Sequence, residues 1–185
     1  MPEQYVIGVM LTPVENPEPK FENTVDTAVK ITEKIFAQRV PNLKLAFFNF
    51  TGPHLTPTKG SYSPMEFLQL GLIEKVERKP NFLLVVTEVE ITPLLATYSV
   101  ALPSALTNVG IVSTKRLNPH FWGEPDEEDI TAERLVGLLL HTMGHLLNLN
   151  YRSNPSNIMY NYEQLSDLEQ MREINNQQVD QIKKA

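Results

Sequence analysis

The chain has 185 residues, 42% of them hydrophobic, with a formal net charge of −6 and no cysteine. That length fits one domain, residues 1–185, with a core of ordinary size, and the lack of cysteine removes disulfides, thiolate metal sites and cysteine nucleophiles together. An acidic balance with no Lys/Arg cluster argues against a nucleic-acid partner, whose phosphates demand a basic face. No apolar run approaches the roughly 18 residues that a membrane span needs. The opening MPEQYVIGVM has no basic start before its apolar stretch, so no signal peptide is expected and the cytoplasm is the simplest location.

In chain order, Tyr5 to Thr12 is a short apolar run rich in branched residues and closed by Pro13, which predicts a buried strand. A loop follows. Helical spacing of Val25, Ala28, Val29, Ile35 and Phe36 then predicts a helix capped by Asn23, ended by Pro41 and Asn42. Leu43 to Phe50 reads as a second buried strand, and the stretch TGPHLTPTKGSYSP as a loop whose His54 is a lone surface histidine. Ser63, Pro64 and Glu66 spell a capping-box start for a helix buried through Phe67, Leu68, Leu72, Ile73 and Val76. Phe82 to Ile91 predicts a strand whose second half has one wet face. Two more strands are expected at Leu94 to Ala101 and Val109 to Ser113, around a turn near Pro103 and Asn108. The segment NPHFWGEPDEED is a polar loop, with Phe121 and Trp122 as its expected anchors in the core.

From Thr131 to about Leu147 the chain is apolar nearly all round, which predicts a buried central helix. His141 and His145 lie on it four residues apart, so their imidazoles project from one face as two ligands of one metal must. Without a neighbouring Glu such a pair in an apolar helix is more often buried and hydrogen-bonded than metal-bound. His120 is a stray candidate for a third ligand. Asn148 stands where the helix can stop, because Asn tolerates the left-handed conformation. A loop with Asn154, Pro155 and Asn157 leads to Met159. Ser166 and Glu169 suggest a capping box for a C-terminal helix carrying Leu168, Met171, Ile174, Val179 and Ile182.

The stretch LVGLLLHTMGHLLNLNYRSNPSNIM resembles the zinc-binding signature of the metzincin metallopeptidases, HExxHxxGxxH followed by a methionine turn, and within them that of the archaemetzincins. On an ungapped register His141 and His145 fall on the first two ligands, Gly144 on a glycine usual in archaemetzincins, and Met159 on the Met-turn residue. Three positions depart. Thr142 stands at the position of the general-base Glu, Asn148 at that of the glycine, and Tyr151 at that of the third histidine. The order EVEI, loop, short strand, NVGIVSTKRL is also similar to archaemetzincins, so the likeness covers roughly residues 80 to 160. It implies an α/β metzincin-like (zincin) fold: a twisted, mostly parallel sheet with an edge strand, a central active-site-type helix, a Met-turn and a C-terminal helix. In that fold Thr97, Tyr98, Ser99, Val100 and Ala101 would be the edge strand that pairs with an extended substrate. The family's second, cysteine-rich zinc site would use positions that here hold Arg152 and Asn157.

The departures have chemical consequences. A Thr hydroxyl cannot take the proton from metal-bound water near neutral pH, and general-base catalysis is worth roughly 100- to 10,000-fold. A phenol with a reference pKa of about 10 coordinates only if the cation displaces its proton. Zinc on His141, His145 and Tyr151 would therefore be a weak site. Three readings stay open. One is a degenerate archaemetzincin-like protein without peptidase activity that binds a peptide or protein in its cleft. Another is an active zinc-dependent metallopeptidase with a non-standard third ligand and base. The third is a structural or interaction protein with core histidines.

Overall fold

Strand-forming and helix-forming segments alternate as β1 (Gln4–Thr12), α1 (Phe21–Arg39), β2 (Lys44–Thr51), α2 (Pro64–Arg78), β3 (Phe82–Thr87), β4 (Ala101–Ser104), β5 (Val109–Ser113), α3 (Ile130–Leu146) and α4 (Asn176–Lys184). The computed structural model describes residues 4–12, 18, 20–41, 44–53, 62–92, 99–125 and 129–184. Among them, five strands form one sheet in the order β2-β1-β3-β5-β4. β1 pairs in parallel with β2 and β3, β3 in parallel with β5, and β4 runs antiparallel along β5. This is the mostly parallel α/β sheet with an edge strand that the sequence leads one to expect, and the structure adds that β4 at that edge runs antiparallel.

The two-residue period of the strands sorts the core into two layers. Ile7, Val9, Leu11, Leu84, Val86 and Val112 share one cluster with α1 and α3. Met10, Leu83, Val85, Val109 and Ile111 share the other with Phe67 of α2. β3 is buried on both faces, which explains why FLLVV is apolar without alternation. α2 lies close to the sheet at Gly71, where an added Cβ would come within 2.9 Å of Val109 Cγ1.

Several elements differ from the sequence reading. α1 starts at Phe21, not Asn23, because Phe21 is itself buried; Lys20 occupies the cap without a side-chain bond. β2 is outermost in the sheet, so its side chains are mostly half-exposed rather than buried. The capping box of α2 forms as expected at Ser63, Pro64 and Glu66. Its apolar stripe forms in part: Phe67 is buried and Leu68 and Leu72 pack against the same core, but Ile73 is 55% and Val76 75% exposed. Val76 lies half a turn from Phe67, the residue that meets the sheet, so it faces away from the core. β3 ends at Thr87, and Glu88 beyond it is buried, accepting from the Glu18 backbone N–H at 2.8 Å. Pro103 lies within β4 rather than in the turn, at a sheet edge where its missing N–H is tolerated. Phe121 and Trp122 are partly exposed and lie beside the Arg116 guanidinium, with Trp122 Nε1 donating to the Arg116 carbonyl at 2.9 Å.

The C-terminal region is broken where a continuous helix was expected. Leu165–Glu169 is a short 3-10 turn capped by Gln164 and Asp167, and Glu169 pairs with Arg134 at 2.9 Å instead of closing a box with Ser166. The next residues turn their backbone toward the Met-turn: Arg172 and Glu173 donate to the Ser156 carbonyl, and Ile158 donates to that of Glu173. Only after this exchange does α4 begin.

Candidate metal centre and cleft

α3 is the element that places the site. It is buried along most of its length, and at Gly137 it runs so close to Leu168 that a Cβ would overlap the Leu168 carbonyl. It ends in a Schellman arrangement: Leu149 N donates to the Gly144 carbonyl at 2.9 Å and Asn148 N to that of His145 at 3.0 Å. Asn148 holds φ 55°, as a residue just past such a terminus must. The chain thereby reverses. Arg152 N then donates to the Met159 carbonyl at 2.9 Å, which ties the segment bearing Tyr151 to the Met-turn.

The histidines meet at the C-terminal end of this helix. His141 Nδ1 stands 2.7 Å from the Ile158 carbonyl. A carbonyl only accepts, so Nδ1 carries the proton and Nε2 presents a lone pair. His145 Nε2 lies 3.1 Å from His141 Nε2, and the Tyr151 hydroxyl lies 3.3 Å from His145 Nε2. Burial keeps His141 uncharged, lowering its pKa from 6.5 to about 4; the Ile158 bond opposes this and the neighbouring His145 adds to it. Burial also lowers the pKa of His145. Both rings are thus neutral near pH 7, as ligands must be.

The spacing fits a shared cation. Two donors held tetrahedrally at roughly 2.0–2.1 Å from zinc stand about 3.3 Å apart. Among the described residues no group of three or more His, Cys, Asp or Glu side chains could hold a metal ion. Of the neighbouring groups of other kinds, Tyr151 brings its oxygen within reach of His145. His120 is not brought to the pair; it lines a cavity of about 780 Å³ with Asp129 and Thr131, at the opposite end of α3. His54 lies outside the described residues.

Thr142 points elsewhere. It is fully buried, its methyl fills the notch left by Gly110 on β5, and its hydroxyl has no hydrogen-bond partner. Met159 is also fully buried, with its sulfur tucked under Gly144 where a Cβ would overlap it. Asn157 shapes the turn above it. Its side-chain oxygen accepts from Met159 N at 2.9 Å, and its amide exchanges two bonds with Gln178 of α4, at 2.8 and 2.9 Å.

Of the residues expected to pair with an extended substrate, Thr97 and Tyr98 lie outside the described residues. Ser99 bridges Ile91 in antiparallel fashion, Val100 is buried, and Ala101 opens β4. The antiparallel edge strand of the sheet is Ala101–Ser104, beginning where the expected segment ends.

Two contributors have little or no signature in the sequence. The Ile158 carbonyl that orients His141 is a backbone group, which any residue could supply. Tyr162 packs edge-on to His141 with ring centroids 5.3 Å apart. Its signal was its place three residues after Met159.

A mostly parallel sheet edged by an antiparallel strand, packed on a buried helix that carries two histidines, is a zincin-like arrangement. The chain superposes on the archaemetzincin of Methanopyrus kandleri with a TM-score of 0.72 and 14% identity, over 99% of this chain and 96% of that one. A zinc-dependent peptidase from Methanocorpusculum labreanum matches with a TM-score of 0.70 and 20% identity, over 95% and 99%. In sequence, the chain is 29% identical over 104 residues to the archaemetzincin of Pyrococcus furiosus, 55% of this chain and 53% of that protein. It is 35% identical over 52 residues to that of Pyrococcus horikoshii, 28% of each. The matched stretch thus spans about half or less of these curated relatives. No family model matches. The chain is archaemetzincin-like, in fold over nearly all its length and in sequence over about half of it.

Proposed function

We propose that this chain is a degenerate archaemetzincin-like protein: it keeps the peptidase scaffold and a metal-competent ligand set, and works by binding a peptide or protein rather than by cleaving one. The observation that carries this is Thr142. Its side chain is packed into the Gly110 notch and is not a base of useful strength, so the proton transfer that hydrolysis needs has no agent at that position. His141, His145 and Tyr151 would hold a cation, which when bound supplies Lewis-acid polarisation of a carbonyl. What the protein's own groups do is hold it: Ile158 fixes the His141 tautomer and Met159 supports the helix beneath. Among the described residues β4 is an end strand of the sheet, an edge along which an extended chain could add as a further strand. No helix among the described residues is long and apolar enough to cross a membrane.

The convergence of three donors also keeps a second reading in play, an active metallohydrolase with a base from another segment. One experiment separates them. Protein purified without chelators is incubated with a diverse peptide library and assayed for both capture and cleavage. Capture without cleavage is expected. Cleavage that disappears in His141→Ala would replace the proposal with the hydrolase. The double variant Thr142→Glu with Tyr151→His should bind zinc more tightly than the natural chain; loss of zinc binding in it would count against the inherited geometry.

A further inference from the structure

We propose that Tyr151 turns this centre from a zinc site into one for a hard, highly charged cation, ferric iron in particular. The inference rests on the reading of His141, His145 and Tyr151 as one ligand set.

The two imidazoles are neutral nitrogen donors, a type that suits iron and zinc alike, so they do not decide between them. The third donor does. Tyr151 can coordinate only as a phenolate: its proton leaves to solvent as the oxygen–metal bond forms, and no electron moves. The set then carries one negative charge, concentrated on a hard oxygen. At a fixed distance the Coulomb attraction of that oxygen grows in proportion to the charge of the cation, so a trivalent ion gains half as much again as a divalent one. Tyrosine oxygen is an iron ligand in other proteins. The chain has no cysteine, so no thiolate competes in favour of softer ions.

Placement agrees with this chemistry. Tyr151 is 57% exposed and His141 7%, so the phenol stands at the mouth, where its proton and an entering cation have access to water, while the nitrogen donor lies at the base.

The test uses the full chain, stripped of metal by a chelator and then supplied with zinc or with chelated ferric iron. Visible absorbance and retained metal after gel filtration are read. The expected result is a coloured phenolate-to-iron band in the natural protein, which excess zinc does not bleach. Tyr151→Phe should lose the band, and Tyr151→His should lose it while gaining retained zinc. If zinc bleaches the band, if zinc is retained but no band forms, or if colour persists in either variant, the proposal is overturned while the metal centre itself stands. If the natural protein retains neither cation and behaves as His141→Ala does, the metal centre falls and the proposal with it.

Discussion

Two polar clusters flank the Met-turn, and their states are opposite. On the α4 side, Asn157 and Gln178 are 1% and 0% exposed, and their amides are closed into a ring of bonds with each other, with Met159 N and with Asn175 N. On the α3 side, His141 Nε2, His145 Nε2 and Tyr151 Oη face one another, and the Thr142 hydroxyl nearby is buried without a partner. A satisfied buried network specifies a single arrangement, whereas donors crowded on one point leave something for a ligand to do. The first cluster holds the turn, and the second is what the turn holds in place.

The comparison breaks most severely at Asn157. Asn157→Ala removes both amide bonds, strands the buried Gln178 side chain and takes the acceptor from Met159 N; a loss of about 4 kcal/mol is expected from these unmet groups. Urea unfolding would measure it. If the ring acts as one unit, Asn157→Leu combined with Gln178→Leu should cost less than the two single changes added together. Additive costs would mean that the amides act separately.

On the histidine side the expected signature is a pH dependence. The folded pKa of His141, about 4, lies below its unfolded value of 6.5, so the unfolded chain binds more protons between those values. The contribution is therefore fully present above pH 6.5 and is lost as pH falls through 4, amounting to something on the order of 3 kcal/mol. Unfolding of metal-free protein across that range should be steeper in pH than that of His141→Asn. Parallel curves for the two would show that burial does not set the charge of this ring.

Much of this contrast was legible in the sequence and part of it was not, for physical reasons. The strands β1, β3 and β5 and the helix α3 announce themselves because burial along most of their length leaves few polar positions. The His pair and Asn148 were legible because spacing and backbone conformation tie each residue type to its place, and Met159 only through the resemblance to the metzincin signature. The outward face of α2 was misread because Ile73 and Val76 fit a helical stripe, and only packing against the sheet at Gly71 decides which stripe is buried. The C-terminal helix was drawn too early because Arg172 and Glu173 exchange backbone bonds with Ser156 and Ile158, a long-range pairing that no local pattern reports. The closed amide ring was invisible for the same reason: Gln178 looks like a surface residue until Asn157 meets it.

A smaller effect is expected at Thr142. Replacing its unpartnered buried hydroxyl with a methyl of the same shape, in Thr142→Val, should stabilise the protein by about 1 kcal/mol. Thermal unfolding reads this directly. A destabilising result would mean that the hydroxyl has a partner in solution, and would move Thr142 into the working part of the site.

The smallest change sharpens the link between the helix end and Tyr151. Asn148 holds φ 55°, where a glycine is relaxed and a Cβ is strained. Asn148→Gly should therefore fold within about 0.5 kcal/mol of the natural chain, since relief in the folded state offsets the added freedom of the unfolded one. Asn148→Ala should cost about 1 kcal/mol, having neither glycine's freedom nor the tolerance of Asn for this conformation. The reversal at Asn148 sets the path that returns Tyr151 to His145, so the Ala variant should also lose metal affinity beyond its loss of stability, and the Gly variant should not. Equal metal affinity in both would mean that the Arg152 bond to Met159 alone suffices to place the phenol.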